Sequence, residues 1–166
     1  MTPDALTFAE LLAYTDQETA RWHAWLREQD PAALDLVVGE GRRATVRHLI
    51  HHVFAVERRY VDRVRGELPV AFEAVPMEPL DTLFEVHHEA RVLLRGWMER
   101  ASPDDWNRVL VFDTLSAGTQ RATVRKVVAH ALLHGIRHWA QIATALRAAG
   151  YPQPWGHDLL LSTTLE

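Results

Sequence analysis

Four runs of apolar residues at helical spacing, each bounded by breakers, constrain this chain more than any other feature. In the first, Phe8, Leu11, Thr15, Glu18, Trp22 and Trp25 recur every three or four residues until Asp30-Pro31 interrupts the pattern. In the second, Thr45 is placed to cap a helix whose face carries Val46, Leu49, His52 or Val53, Val56, Tyr60 and Val64, with Gly66 to end it. A connection through Pro69, Pro76 and Pro79 leads to the third, striped by Leu80, Phe84, His87, Arg91, Leu94 and Met98 and ended by Ser102-Pro103. The fourth starts at Thr123 and runs through Val127, Ala131, His134, His138, Gln141 and Ala145 to Gly150, a residue suited to the left-handed backbone past a helix end. Before it, RVLVFDTLSAGTQRATV places β-branched residues around Gly118, which predicts a short hairpin or extended excursion. One stripe cannot bury itself. Four of them in 166 residues, with no repeat, low-complexity tract or linker, predict a single all-α domain over residues 1-166. The economical form is an antiparallel four-helix bundle with a long crossover connection between its second and third helices.

Charge and composition remove several function classes. The chain carries 18 Lys+Arg against 22 Asp+Glu, a net charge of -4, with no dense basic block, which argues against nucleic acid or an anionic membrane surface as a partner. No stretch reaches the roughly 18 consecutive apolar residues of a membrane helix, and MTPDALTFAE lacks the basic and apolar regions of a secretory signal. The expected location is the cytoplasm and the expected partner a small molecule. There is no cysteine, so a metal would need His, Asp or Glu as ligands, and thiol chemistry would need an external thiol.

Against that background the segment HALLHGIRHWAQ is unusual, because His130, His134 and His138 lie four apart in an otherwise apolar helix. Residues four apart sit one above the other, with Cβ atoms about 6 Å apart, so two imidazoles can reach one cation. Ten histidines scattered over this length give fewer than one such pair by chance; the chain has 48/52, 130/134 and 134/138. His134 and His138 share the stripe of Val127, Ala131 and Gln141, and His52 lies on the inner face of the second helix. Three neutral imidazoles from two facing helices match the ligand set of a catalytic divalent site with open positions. The competing reading, hydrogen-bonded core histidines without a ligand role, is the commoner fate of a lone histidine. His130 is read as a support or boundary residue, His87 as lining the cavity or packed in the core, and His23, His51, His88 and His157 as surface or boundary. A carboxylate-bridged dimetal bundle fits poorly, since it needs two Glu-x-x-His motifs and only Glu85 with His88 forms one.

LIHHVFAVERRYVDRV and HALLHGIRHWAQI resemble the two motifs of the DinB-like (DinB/YfiT) metal-binding four-helix bundles, and the resemblance runs over nearly the whole chain. The first is similar to the family's ligand histidine followed five residues later by an acidic residue and then an aromatic, which maps His52 and Glu57. The second resembles H-x-x-x-H-R-G-Q-I, mapping His134, His138 and Gln141, with Trp139-Ala140 in place of Arg-Gly. The resemblance implies a divalent metal, usually zinc or nickel, held by His52, His134 and His138. It also implies, for some relatives, transfer of a small thiol such as bacillithiol or mycothiol to an electrophile, in detoxification or stress response. Glu57 is a candidate to orient a ligand, its alternative being a salt bridge to Arg58 or Arg59; Gln141, Trp139 and His87 are cavity candidates. The same ligands would serve a metal-dependent hydrolase, and a non-enzymatic binding or stress-response protein is the third reading. A homodimer is compatible with the resemblance.

Overall fold

The computed structural model describes residues 5–114 and 116–164, apart from the Arg42 side chain. The first four residues of the N-terminal reading, Leu115 of the hairpin run and the last two residues of the 1-166 span lie outside it. Helix α1 (Phe8–Leu26) begins in a capping box in which Thr7 accepts from the Glu10 amide while the Glu10 carboxylate accepts from the Thr7 amide. Helix α2 (Val46–Arg65) is capped by Thr45, as its sequence predicts. Gly66 ends it in the left-handed region at φ 80°, where any Cβ crowds the backbone. Gly66→Ala should therefore cost about 1–2 kcal/mol, read as a lowered denaturation midpoint with an unchanged slope.

Helix α3 (Leu80–Met98) follows the long connection. Ser102-Pro103 does stop it, but the same residues start a further short helix, α4 (Pro103–Asn107), through a second capping box between Ser102 and Asp105. Strands β1 (Val109–Thr114) and β2 (Gly118–Thr123) then pair antiparallel, from Val109 opposite Thr123 to Thr114 opposite Gly118. The expected excursion is thus a regular hairpin, and Thr123 at its end caps α5 (Val124–Ala148) directly. The 25 residues of α5 span about 37 Å. Among the described residues no helix is long and apolar enough to cross a membrane.

Helix α2 packs against both α3 and α5, and α1 closes against α5. The apolar interior is split into two clusters. One gathers Trp22, Phe54, Phe84, Trp139, Ile142 and Leu146. The other gathers Leu12, Val61, Leu94, Val124, Val128 and Leu132. Between them every long helix turns polar at the same level: Thr15 and Glu18 on α1, Glu57 on α2, His87 and Arg91 on α3, His138 on α5 are all buried. Such a belt is costly unless its members find partners, and at its centre three of them, Arg91, Glu57 and Thr15, partner one another. Arg91 donates from Nε and Nη2 to the two Glu57 oxygens at 2.8 Å each, and from Nη1 to Thr15 Oγ1 at 2.8 Å.

Candidate metal centre

The polar belt has an outer side, between α2 and α5, where three imidazoles converge. His52, His134 and His138 each offer a ring nitrogen, and the three nitrogens lie within 4.8 Å of one another. A tetrahedral ion with metal–imidazole bonds of about 2.1 Å would hold its ligand nitrogens about 3.4 Å apart, so the rings need only close slightly around it. The ring centroids of His52 stand 5.1 Å from those of both His134 and His138, and the latter pair are 4.4 Å apart. The convergence follows from helix geometry: the step from 134 to 138 stacks two rings on α5, and Val53, Ile50 and Leu49 draw α2 against it.

Protonation suits the same purpose. Burial, then His138, Arg43 and His51, lowers His52 to about 4. Burial and three neighbouring histidines, followed by Arg137, lower His134 to about 3. Burial also lowers His138, against the opposing hydrogen bond to Gln141. All three are therefore neutral at pH 7 and carry lone pairs for a cation. His138 Nδ1 lies 2.6 Å from Gln141 Oε1. An amide oxygen only accepts, so Nδ1 carries the proton and Nε2 is bare, facing His134 Nε2 at 3.1 Å. The donor set and its tautomer fit a divalent ion of the zinc type. Gln141→Ala is expected to weaken metal affinity by about 10–100-fold, because it frees the imidazole to rotate and change tautomer. Competition with a chromogenic chelator measures this.

The triad opens into a cavity of about 480 Å³ between α2, α5 and the hairpin, lined among others by Val56, Tyr60, Phe112 and His130. His130 does not join the triad; its ring meets Tyr60 edge-on at 5.3 Å. The other candidates fall elsewhere. Trp139 is buried and stacks on Trp22 with ring centroids 4.9 Å apart. His87 and Glu57 line a second cavity of about 260 Å³ inside the bundle together with Trp139. Neither Arg58 nor Arg59 partners Glu57: its carboxylate is taken by Arg91, with His87 Nδ1 at 3.0 Å, and it makes no bond to the triad. Arg91 on the third apolar stripe was the available signal, since a buried arginine needs a buried acid.

His51 departs from its surface-or-boundary expectation. It is 4% exposed, with Nε2 3.0 Å from the Val75 carbonyl, because the connection between α2 and α3 folds over that edge of α2. His157 sits at the boundary as expected, yet it holds Glu18 at 2.9 Å and stacks on Trp22. Its position far along the chain gave no sign of that. His88 and Glu85 are exposed, which removes the dimetal arrangement.

Comparison with known proteins agrees with this fold. A model described as the DinB family matches residues 1–163. Protein DinB of Bacillus subtilis (strain 168) is 25% identical over 134 residues, covering 72% of this chain and 75% of that protein. The solved structure of YfiT from Bacillus subtilis, described as a probable metal-dependent hydrolase with an unusual four-helix bundle topology, aligns with a TM-score of 0.61. It is 17% identical, with 91% of this chain and 94% of that chain covered, and so bears on the fold alone.

Proposed function

The chain belongs to the DinB family, and from that premise we propose that it is a metal-dependent hydrolase of small molecules, with His52, His134 and His138 as the ligands. The observation that carries this reading is the convergence of three neutral ring nitrogens within 4.8 Å, at the floor of an accessible cavity. The description of YfiT as a probable metal-dependent hydrolase supports it. Zinc or nickel suits three imidazoles better than magnesium or calcium, which favour oxygen ligands. When bound, such an ion supplies a Lewis acid that acidifies water and polarises an acyl or phosphoryl oxygen.

The residues of the chain do the rest. Neutral ligands leave the full charge of the cation in place, whereas a carboxylate would offset part of it. Gln141 fixes which nitrogen of His138 points inward. The belt around Glu57 and Arg91 ties α1, α2 and α3 together at the level of the triad, so the α2 ligand is held in register with the two on α5.

Transfer to an external thiol such as bacillithiol or mycothiol is the second reading. Its support is the cavity volume of about 480 Å³, which leaves room for a thiol beside an electrophile. The two are separated by assaying metal-loaded protein on p-nitrophenyl acetate and bis-p-nitrophenyl phosphate, and on 1-chloro-2,4-dinitrobenzene with and without free cysteine. Metal-dependent, thiol-independent release of nitrophenol that disappears in His52→Ala supports hydrolysis. Consumption of the aryl chloride only with thiol and metal together supports transfer. If fully loaded protein does neither, both enzymatic readings fall and the bundle is a binding protein.

A further inference from the structure

The cavity above the triad is cationic in a chain whose net charge is -4. Arg43, Arg59, Arg63, Arg121, Lys126 and Arg137 line it, against the acids Glu40 and Asp113. Among the described residues none of those six cations has a carboxylate within ion-pairing distance. Helix α2 makes the contrast inside one element. Its arginines that face elsewhere are paired: Arg47 with Asp35 and Glu78, Arg58 with Asp62 and Glu89, Arg65 with Glu67. Arg59 and Arg63, which line the cavity, are not.

These two are also the half-buried members of the set. Arg59 donates to the Val70 carbonyl, and Arg63 to the carbonyls of Arg59 and Asp113, while the Arg63 guanidinium lies 4.9 Å from the Phe112 ring centroid. Backbone carbonyls and a ring face position these groups without neutralising them. The Asp113 carboxylate accepts from Thr119 Oγ1. Partly desolvated guanidinium groups, one turn apart and with no carboxylate in ion-pairing range, repel each other and cost stability, a cost that a bound anion would offset. Burial, then the neighbouring Arg59, lowers the basicity of Arg63, and the opposing pull of Tyr60 and Asp62 does not restore it.

Position says how such an anion would lie. His52, Val56, Arg59 and Arg63 step by four, three and four residues and so form one stripe on α2. Two turns, about 10 Å along the axis, separate the His52 and Arg59 backbones.

We propose that the ligand of this cavity is a small organic oxyanion, its carboxylate or phosphate bound by Arg59 and Arg63 with Arg121 and Arg137 at the mouth. Its reacting end, several bonds away, meets the histidine triad; this second half rests on the proposed hydrolase reading, the anion site does not. Succinate and inorganic phosphate are the probes, titrated separately by calorimetry into metal-loaded protein, with metal content measured on every sample. Wild type is expected to bind at least one of them, succinate alone marking a carboxylate site, phosphate alone a phosphate site, and both a general oxyanion site. Arg59→Gln/Arg63→Gln is expected to weaken binding at least about tenfold with metal content unchanged, and the outlying Arg147→Gln to leave it unaltered.

Should the double variant fail to fold, Arg121→Gln/Arg137→Gln replaces exposed side chains and is expected to lower affinity and flatten its salt dependence. Loaded wild type that binds neither probe, or binding indifferent to the cavity arginines, overturns the anion site alone. Arginine-dependent binding by protein that takes up no metal upholds the anion site and overturns the hydrolase.

Discussion

His138→Ala is expected to abolish stoichiometric binding of zinc or nickel while the helical circular dichroism of the bundle persists. The loss should exceed the roughly 10–100-fold that removing an outer hydrogen-bond partner costs, because a ligand itself is gone. His138 is the most deeply placed of the three, 2% exposed, with Nδ1 tied to Gln141 and Nε2 turned to His134. Its removal breaks the arrangement on both sides. His52→Ala, at a half-buried position on α2, should lose the metal equally with a smaller effect on packing. Retention of one equivalent of metal by either folded variant would mean that the ion is held elsewhere.

Glu57→Gln is expected to be the most destabilising single change in the polar belt, by about 3 kcal/mol, since it removes the two-oxygen partner of the buried Arg91 charge and leaves it only Asp16, at 3.4 Å, as a carboxylate. Glu57 is 2% exposed and Arg91 4%, so neither can turn to water. Burial alone would raise the Glu57 carboxyl; Arg91 and then His87 outweigh it and hold the group at about 2, below its ordinary 4.5. The unfolded chain therefore takes up the proton first. The pair contributes its full stability above about pH 4.5 and loses it as the pH falls toward 2. In urea denaturation the gap between wild type and Glu57→Gln should accordingly be widest near neutrality and narrow through that window. Glu57→Met/Arg91→Met, which removes both charges, should recover most of the loss. A single variant as stable as wild type at pH 7 would show that the belt is not held by this pair.

The periodicity of the four stripes sufficed for the long helices, because caps such as Thr45, Thr123 and Gly66 are local and carry their own chemistry. The hairpin was legible for the same reason: Gly118, at φ 64°, supplies the turn between β-branched runs. Helix α4 escaped notice because Ser102-Pro103 reads equally as a stop and as a start. Histidine spacing on α5 brought out two members of the histidine cluster, and the apolar face of α2 the third. The identity of the Glu57 partner did not follow, since the choice between Arg58, Arg59 and Arg91 depends on how α2 and α3 are rotated toward each other. The cationic cavity was hidden by the acidic average of the chain. Its arginines come from α2, the hairpin and α5, and only folding sets them side by side.

The central claim is that one divalent ion sits among His52, His134 and His138, and anomalous diffraction from crystals of zinc-loaded protein tests it most directly. One strong peak is expected at the zinc edge in each chain, about 2.1 Å from a nitrogen of each of the three imidazoles. A peak at any other cluster, or fully loaded crystals with no density among these rings, would contradict it.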